Sequence, residues 1–490
     1  MSSHGQASAE IEKISSPADF EKLARDADLF GWWTPDEPEL PRNWTKSTRL
    51  AHVGIASASA FLASLTSTAF APAGQSLHAE YGVTNATIAT LTVTIYLLGF
   101  ALGPLVIAPL SETYGRCPAY LACLLTSVCF LVACSQATGV AQFLVFRFIT
   151  GVAGSGPAVI GAATIADLIP KEERGAAMAV FSAGPLLGLV IGPLTCAFIA
   201  QHLSWRWVFR VLYIATAAVF IPAFFFMRET YTPVVILRKV AAVRKKTGNP
   251  TLYSEFDSHD SAVRTWRHAI VRPTKMLIFS PICLLLSIYC AFVWGLLFLL
   301  FTTFPAVWSK QYGWTQGISG LSYLGMGVGM AVGGVGYGLI TDRVVERDSK
   351  AQGKPWSPEG RLLPMVWCAP VLPAGFFCYG WSAYYKAHWI IPILGTTAVG
   401  FGALLIMMPV QIYLVDSFGP KTAASALAAN TVLRALAGCF LPLAGPALYA
   451  SLGLGWGNTL LGFIGLFFCA LPIFFYRYGE SIRKKYHIEF

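Results

Sequence analysis

Charged residues are scarce in this sequence of 490 residues: 12% are Asp, Glu, Lys or Arg, whereas 55% are hydrophobic. A soluble domain carries about 25% charged residues, so this composition excludes an ordinary soluble enzyme. A bilayer accommodates it, because a spanning helix needs about 20 consecutive, mostly apolar residues. The composition therefore predicts an integral membrane protein.

Signals of several other protein classes are also missing. The 11 cysteines are scattered singly, with no CxxC pair and no histidine cluster, so we expect neither a disulfide framework nor a metal site nor a cofactor. No GxxxxGK(S/T) sequence occurs, which argues against ATP-driven transport. A membrane-embedded transferase would need clustered catalytic His or Asp, and the sequence has no such cluster. No apolar segment follows Met1, so we expect no cleaved signal peptide.

Windows of about 20 apolar residues predict twelve membrane-spanning helices, six on either side of a polar central segment. The predicted spans are 50–72, 87–108, 118–136, 141–168, 175–200, 207–227, 277–304, 317–341, 363–383, 389–414, 423–450 and 456–476. This pattern predicts an all-α integral membrane protein with two six-helix bundles. The predicted parts are an N-terminal tail (1–49), a first bundle (50–227), a central loop (228–275), a second bundle (276–476) and a C-terminal tail (477–490).

Basic residues are distributed unevenly over the predicted loops. Of the 35 Lys and Arg residues, 29 lie in the two tails and in the loops on the same side, four lie on the other side, and two, Arg147 and Arg434, lie within spans. Since cytoplasmic loops carry an excess of Lys and Arg, both termini are predicted to be cytoplasmic. The net charge of +10 then reflects topology and attraction to anionic membrane lipids, and we expect no nucleic-acid partner.

The stretch APLSETYGRCPAY, residues 108–120, interrupts two apolar runs at the predicted cytoplasmic end of the second span. Its Glu112, Gly115 and Arg116 resemble the loop signature G-x-x-x-D-R-x-G-R-(R/K) of the major facilitator superfamily. The eighth span ends in a similar way, with a small residue four positions before Asp342. This weak repeat falls where a duplicated six-helix unit would place it.

Further motifs extend the resemblance over most of the chain. The sequence RFITG at 147–151 resembles the family's R-x-x-x-G pattern in the fourth span, and GPLLGLVIGP at 184–193 resembles the antiporter motif of the fifth. The sequences WRWVF (205–209), SALAANTVLR (425–434) and YGESIR (478–483) resemble fungal drug:proton antiporters of the twelve-span type.

The resemblance implies a transporter, not an enzyme, whose two bundles rock around a central site. It implies a monomer in the fungal plasma membrane that exports small amphiphilic drugs, toxins or secondary metabolites by proton antiport. A proton-independent uniporter and a carrier of polyamines or other organic cations are alternatives, and a membrane-embedded enzyme is a further one. The absence of acidic residues near the predicted midplane disfavours a strongly cationic cargo.

Proton antiport needs a titratable group that is reachable from both sides, yet none of the 25 acidic residues is predicted near a midplane. Arg147 is the deep charge of span four, and the resemblance links it to proton transfer. Ionisable residues within spans are functional candidates by default. Its candidate partners are Asp167 on span four, Asp416 on span ten and His52, which can titrate near neutral pH. For each partner, an interfacial anchor is the alternative.

Glu112 and Arg116 are predicted to latch the cytoplasmic side. Span eleven begins near Thr422, and the free amides and dipole of a helix N-terminus attract a carboxylate. If the bundles pack as the resemblance implies, Glu112 sits at that end and closes the inward side, while Arg116 pairs with Asp167. The alternative is that Glu112 and Arg116 are merely interfacial residues that set topology.

Small residues in span five predict a close helix contact. Gly184, Gly188 and Gly192 recur every four residues, and such a strip lets another helix approach closely. Pro193 can bend the span. We expect the strip to serve both packing and gating.

Aromatic and polar residues at depth are the candidate substrate ligands. Trp294, Phe298 and Phe301 share one face of span seven by their spacing of four and three residues. Such a wall suits flat or amphiphilic cargo, and core packing is the alternative. The polar candidates, which could orient a ligand in a mostly apolar cavity, are Tyr96, Gln411, Tyr413 and Asn430.

Overall fold

A computed structural model describes residues 29–30, 40–170, 173–247, 253–254, 262–352 and 358–485, and most of this chain is helical. The first half contains the helices Lys46–Ala69, Gly74–Glu80, Ala86–Thr113, Arg116–Ser135, Val140–Leu168, Arg174–His202 and Trp205–Phe226. The helices Thr232–Thr247 and Ala262–Phe279 lie between the halves. The second half contains Pro281–Tyr312, Gln316–Leu321, Tyr323–Gln352, Leu363–Cys368, Val371–Tyr384, Ile390–Phe440, Gly445–Phe468 and Ala470–Lys485.

Shorter elements complete the described part of the chain. Single 3-10 turns occur at Pro41–Asn43, Pro358–Leu362 and Leu441–Ala444. Two strands of two residues each, Leu29–Phe30 and Tyr253–Ser254, pair in parallel.

Local sequence explains where several helices begin and end. The Asn85 side chain accepts a hydrogen bond from the backbone N–H of Thr87 (2.9 Å), which caps the second long helix. Ser280 caps the helix Pro281–Tyr312 in the same way through the N–H of Cys283 (3.3 Å). That helix ends at Gly313, whose left-handed φ of 67° is readily adopted by glycine.

Eleven helical segments of the described chain are long and apolar enough to cross a bilayer. Ten correspond to predicted spans one to ten, and the last, Thr422–Lys485, has 64 residues. At about 1.5 Å per residue, this segment is roughly three times as long as the hydrocarbon core is thick. Gly453, with φ 70° and ψ 176°, interrupts it. It therefore contains span eleven (422–452) and span twelve (454–485).

Packing contacts show the direction of span ten. Ile393 lies against Gly325 and Phe401 lies against Gly333. The residue numbers of the contacting pairs increase in the same direction along both helices, so span ten runs parallel to span eight.

Span eleven runs in the opposite direction to span ten. Asn430 contacts Ser287 and Leu441 contacts Gly295, so span eleven runs parallel to span seven. Spans seven and eight are antiparallel neighbours joined by a short turn. The chain therefore reverses direction between Phe401 and Asn430, within the segment assigned as the helix Ile390–Phe440. The prediction of two bundles of six spanning helices is confirmed.

The central segment, which its polarity predicts to be a loop, contains much helix. In Thr232–Thr247 the buried side chains Ile236 and Val240 are four residues apart and face the same way. Windows of 20 apolar residues miss such a helix because it has only 16 residues, five of which are Lys or Arg. We call the end of the bundles that carries residues 228–247 the central-segment end, and the opposite end the far end.

Candidate transport cavity and its gates

A small cavity of about 40 Å³ lies between the two bundles. Both bundles contribute to its wall through spans one, two, five, seven and eleven. The lining residues are Ala63, Ser64, Ser67, Leu97, Phe100, Leu189, Trp294, Thr431, Arg434 and Ala435. The wall is mostly apolar, with three hydroxyl groups and one guanidinium.

The aromatic face predicted on span seven is present. The ring centres of Trp294 and Phe298 are 5.5 Å apart, as are those of Phe298 and Phe301. Only 1% of Phe298 and of Phe301 is exposed, and both pack inside the second bundle. Of the three rings, Trp294 lines the cavity.

The polar candidates lie outside this cavity wall. The Tyr96 hydroxyl donates a hydrogen bond to the Ala63 carbonyl (2.9 Å), and Tyr96 lines a separate cavity inside the first bundle. The Asn430 amide donates to the Ser287 hydroxyl (3.3 Å) and so joins spans eleven and seven. Gln411 is partly buried on span ten. A substrate role for these side chains stays a prediction.

Arg147 is completely buried within the first bundle. Its guanidinium donates hydrogen bonds to the carbonyls of Thr66 (3.0 Å) and Val93 (3.4 Å). Its Cζ atom lies 5.1 Å from the ring centre of Tyr96, within reach of a cation–π contact. Within the described chain, no carboxylate forms an ion pair with Arg147. Its charge is held by carbonyls and rings, and its predicted part in proton transfer stays a prediction.

The loop signature forms a charged corner at the central-segment end of the first bundle. The Arg116 Nε lies 3.6 Å from the Asp167 carboxylate, so the predicted contact between them is present. Arg116 also donates a hydrogen bond to the Ser111 hydroxyl (2.7 Å). This corner joins the ends of spans two, three and four.

Glu229, which the sequence analysis did not single out, caps span three. Its carboxylate accepts hydrogen bonds from the backbone N–H groups of Arg116 (2.8 Å) and Cys117 (3.2 Å). A carboxylate there also complements the helix dipole. Gly115, at φ 108°, precedes the helix, and a Cβ atom on it would overlap the Glu229 carboxylate. The cap therefore explains why the signature has glycine at this position.

The second bundle repeats the corner. Gly-Arg at 360–361 stands at the start of span nine, as Gly-Arg at 115–116 stands at the start of span three. The Arg361 Nε lies 3.4 Å from the Asp416 carboxylate. Asp416 thus occupies the position in its bundle that Asp167 occupies in the first.

Glu359 is a second site that the sequence analysis missed. It is 4% exposed, and its carboxylate accepts hydrogen bonds from Arg483 (3.2 Å) on span twelve and from Tyr413 (3.5 Å) on span ten. The repeated Gly-Arg pair was the signal that could have located this corner. These contacts hold three helices of the second bundle together.

Glu112 is exposed at the central-segment end. Among the described residues, no hydrogen bond joins it to Thr422 or to the next residue of span eleven. The predicted latch is thus not formed in this conformation, in which the bundles meet at the far end. Its role in the other conformation stays a prediction.

His52 uses both ring nitrogens within the first bundle. Its Nδ1–H donates to the Thr48 carbonyl (2.8 Å), and its Nε2 accepts from the backbone N–H of Arg228 (3.0 Å). This pattern fits a single neutral tautomer. The ring joins the start of span one to the end of span six, and it is 1% exposed.

The glycine strip of span five packs against span one. A Cβ atom on Gly184 would lie 2.9 Å from the Ser57 carbonyl oxygen, and one on Gly192 would lie 2.8 Å from the Leu65 carbonyl oxygen. Gly188 lies between them, and a Cβ atom there would overlap the Phe61 carbonyl oxygen. The strip therefore holds two helices of the same bundle in close contact.

Pro193 frees a carbonyl that another helix satisfies. Proline has no N–H, so the carbonyl of Leu189, four residues earlier, lacks its helical partner. The Thr68 hydroxyl of span one donates to that oxygen (3.1 Å). The Pro193 carbonyl itself faces Gly320 at the start of span eight. Pro193 is therefore placed at the contact between the two bundles.

The bundles are closed against each other at the far end. The Gln316 amide donates to the Pro72 carbonyl (2.7 Å), and the Gln201 side chain accepts from the backbone N–H of Gly317 (2.6 Å). Spans two and eleven also pack together. These contacts close the groove between the bundles on the far side.

The WRWVF sequence anchors the far end of the first bundle. Trp205 donates from its indole N–H to the Glu80 carboxylate (2.7 Å), and Arg206 forms an ion pair with the same carboxylate (2.7 Å). The hydrogen bonds from Arg206 and then Trp205 lower the pKa of Glu80. The Trp205 ring packs in an aromatic cluster with Phe70 and Phe143. The motif thus fixes a short surface helix to span six.

Comparison with known proteins agrees with this architecture. The chain is 58% identical over 467 residues to the MFS-type transporter mpsC of Macrophomina phaseolina, covering 95% of this chain and 91% of that protein. It is 44% identical over 461 residues to the trichosetin biosynthesis cluster MFS transporter of Gibberella fujikuroi, covering 94% and 90%.

A solved structure and a family model support the same relationship. The E. coli xylose transporter XylE has a TM-score of 0.66 and 17% sequence identity, over 88% of this chain and 98% of XylE, which shows a shared fold. The model of the Major Facilitator Superfamily matches residues 56–442. With that match and with relatives of such identity, the chain belongs to the major facilitator superfamily, whose members here are membrane transporters and not enzymes.

Proposed function

We propose that this chain exports a small amphiphilic secondary metabolite across the plasma membrane by alternating access between its two bundles. The observation that carries the proposal is the mostly apolar cavity between the bundles, which is closed at the far end. The name of one relative, a transporter of a trichosetin biosynthesis cluster, supports a secondary metabolite as the cargo.

The direction of transport rests on the predicted topology. The excess of Lys and Arg in the tails and central segment supports cytoplasmic termini. The far end is then extracellular, and the closed far end corresponds to an inward-facing state that loads cargo from the cytosol. Release requires the far-end contacts of spans five and eight to part while the central-segment end closes.

Two coupling mechanisms are considered. Proton antiport is implied by the family resemblance, and proton-independent uniport is the alternative. One observation favours uniport: in the described chain no carboxylate lines the cavity, and the carboxylates of Asp167 and Asp416 are paired with arginines. The Arg147 guanidinium likewise donates hydrogen bonds to two backbone carbonyls. Proton antiport would need one of these groups to be released during the cycle.

Reconstitution into liposomes tests both the export function and the coupling. The vesicles would contain a trapped pH-sensitive dye and would receive a panel of amphiphilic acids, neutral compounds and amines. Compound movement together with proton flux supports antiport, and compound movement without proton flux supports uniport. If no compound of the panel moves faster than in protein-free vesicles, the proposed export function is wrong.

A further inference from the structure

Arg434 is a deep charge in the central cavity. It lies twelve residues after Thr422 on span eleven, which places it roughly 18 Å along the helix, near the middle of a hydrocarbon core about 30 Å thick. Its guanidinium Cζ lies 4.7 Å from the ring centre of Trp294. Both side chains line the cavity. Charges at such depth are costly and mark functional sites.

The surroundings of Arg434 differ from those of Arg147. Arg147 is 0% exposed and donates to two backbone carbonyls. Arg434 is partly exposed to the cavity, and within the described chain its guanidinium lies against the Trp294 ring, with no carboxylate opposite it. Its N–H donors are therefore available to a molecule that enters the cavity.

The chemistry of this wall selects a particular kind of ligand. A guanidinium presents N–H donors in a fork that matches a carboxylate or another ionised oxygen acid. The Trp294 ring orients the guanidinium and offers a flat apolar surface beside it. Ser64, Ser67 and Thr431 add hydroxyl groups, and the remaining wall is apolar. The cavity thus combines one positive charge with a surface for an apolar body.

We propose that Arg434 and Trp294 form a binding site for the acidic head group of an amphiphilic organic anion, and that this anion is the exported metabolite. The identity of the cargo rests on the export function proposed above, whereas anion binding does not. An anionic cargo also explains why acidic side chains are absent from the described cavity wall, since they would repel it. Export of an anion from a cell with a negative interior is driven by the membrane potential, without a coupled proton.

Matched ligands test the site in the full-length protein in nanodiscs. The probes are a naphthyl alkanoic acid, its methyl ester and the trimethylammonium analogue with the same apolar body. A charge-assisted contact in a dry site leads us to expect that the acid binds about 10- to 100-fold more tightly than the ester. Equal affinity of the wild type for acid and ester would overturn the proposal without any variant.

Three variants assign the preference to particular side chains. Arg434→Gln is expected to abolish the preference for the acid and to leave ester binding within about twofold, whereas Arg434→Lys should retain part of the preference because it keeps the charge. Trp294→Leu should weaken the acid and the ester alike. An Arg434→Gln protein that still prefers the acid would overturn the assignment.

Transport of the same probes separates this proposal from the export function. If the wild type binds the acid selectively but moves neither probe across liposomes, the export function fails and the anion site stands. If the wild type and Arg434→Gln transport the acid and the ester at equal rates, the export function stands and the anion site is wrong.

Discussion

Gly115→Ala should destabilise the first bundle, because Gly115 carries two separate constraints. Its φ of 108° and ψ of 160° lie in a region that glycine alone populates readily, and a residue forced into it pays about 1–3 kcal/mol. A methyl group there would also displace the Glu229 carboxylate from the N-terminus of span three, and loss of such a cap costs about 0.5–2 kcal/mol. We therefore expect the free energy of unfolding to fall by about 1.5–5 kcal/mol.

Gly82→Ala is the matched control for this experiment. Gly82 also has a positive φ, 63°, but a Cβ atom there would have no neighbour within 4 Å. Its substitution should cost about 1–2 kcal/mol, from backbone strain alone. The free energies would be measured by titrating the purified protein in mixed micelles with a denaturing detergent. If Gly115→Ala costs no more than Gly82→Ala, the role assigned to the Glu229 cap is wrong.

A double mutant distinguishes displacement of the cap from strain. A Glu229→Ala protein lacks the carboxylate at this position. The methyl group introduced by Gly115→Ala therefore has nothing to displace. The Gly115→Ala substitution should then cost only its strain, about 1–3 kcal/mol. Strict additivity of the two substitutions would show that Gly115 and Glu229 act independently and would contradict the geometry described above.

Three further substitutions test the gates and corners. In Gly320→Val the new Cβ would lie 2.5 Å from a side-chain carbon of span five, so the closed far end should open. Thiol labelling of the cavity from that side should then rise. Gly338→Ala is the control, because a Cβ atom there has no neighbour within 4 Å, and it should leave labelling unchanged. Asp416→Asn removes the ion pair with Arg361 (3.4 Å) and should lower the free energy of unfolding by about 1 kcal/mol in the same detergent titration; no loss would argue that the pair is incidental. Glu112→Lys should shift the protein toward the conformation with an open central-segment end, and unchanged cysteine accessibility at that end would refute the latch.

The fold was largely predictable because its signals are long and repeated. Runs of about 20 apolar residues indicate spanning helices directly, and ten of the twelve spans correspond one to one to separate helical segments. The predicted gap between spans eleven and twelve, residues 451–455, contains Gly453, where the helix is interrupted. The helix Thr232–Thr247 was missed because it is shorter than a span and five of its 16 residues are Lys or Arg.

The site was less predictable because it depends on which way each side chain points. Composition identified Arg147 and Arg434 equally as charges within spans, yet the first is held by carbonyls and the second faces the cavity. Tyr96 and Trp294 also have similar predicted depth, and only Trp294 reaches the cavity between the bundles. Spacing along one helix predicts which residues share a face, but it does not predict what that face meets.

Thiol labelling at one cavity position tests alternating access most directly. Ser64 lines the cavity on span one. The Ser64→Cys protein would be placed in sealed vesicles and exposed to a membrane-impermeant thiol reagent from either side. The wild type would measure the labelling of the native cysteines. Alternating access predicts that the introduced thiol reacts from both sides, faster from the central-segment side. Reaction from one side alone, in a protein that transports its cargo, would contradict a cavity that opens alternately to the two sides of the membrane.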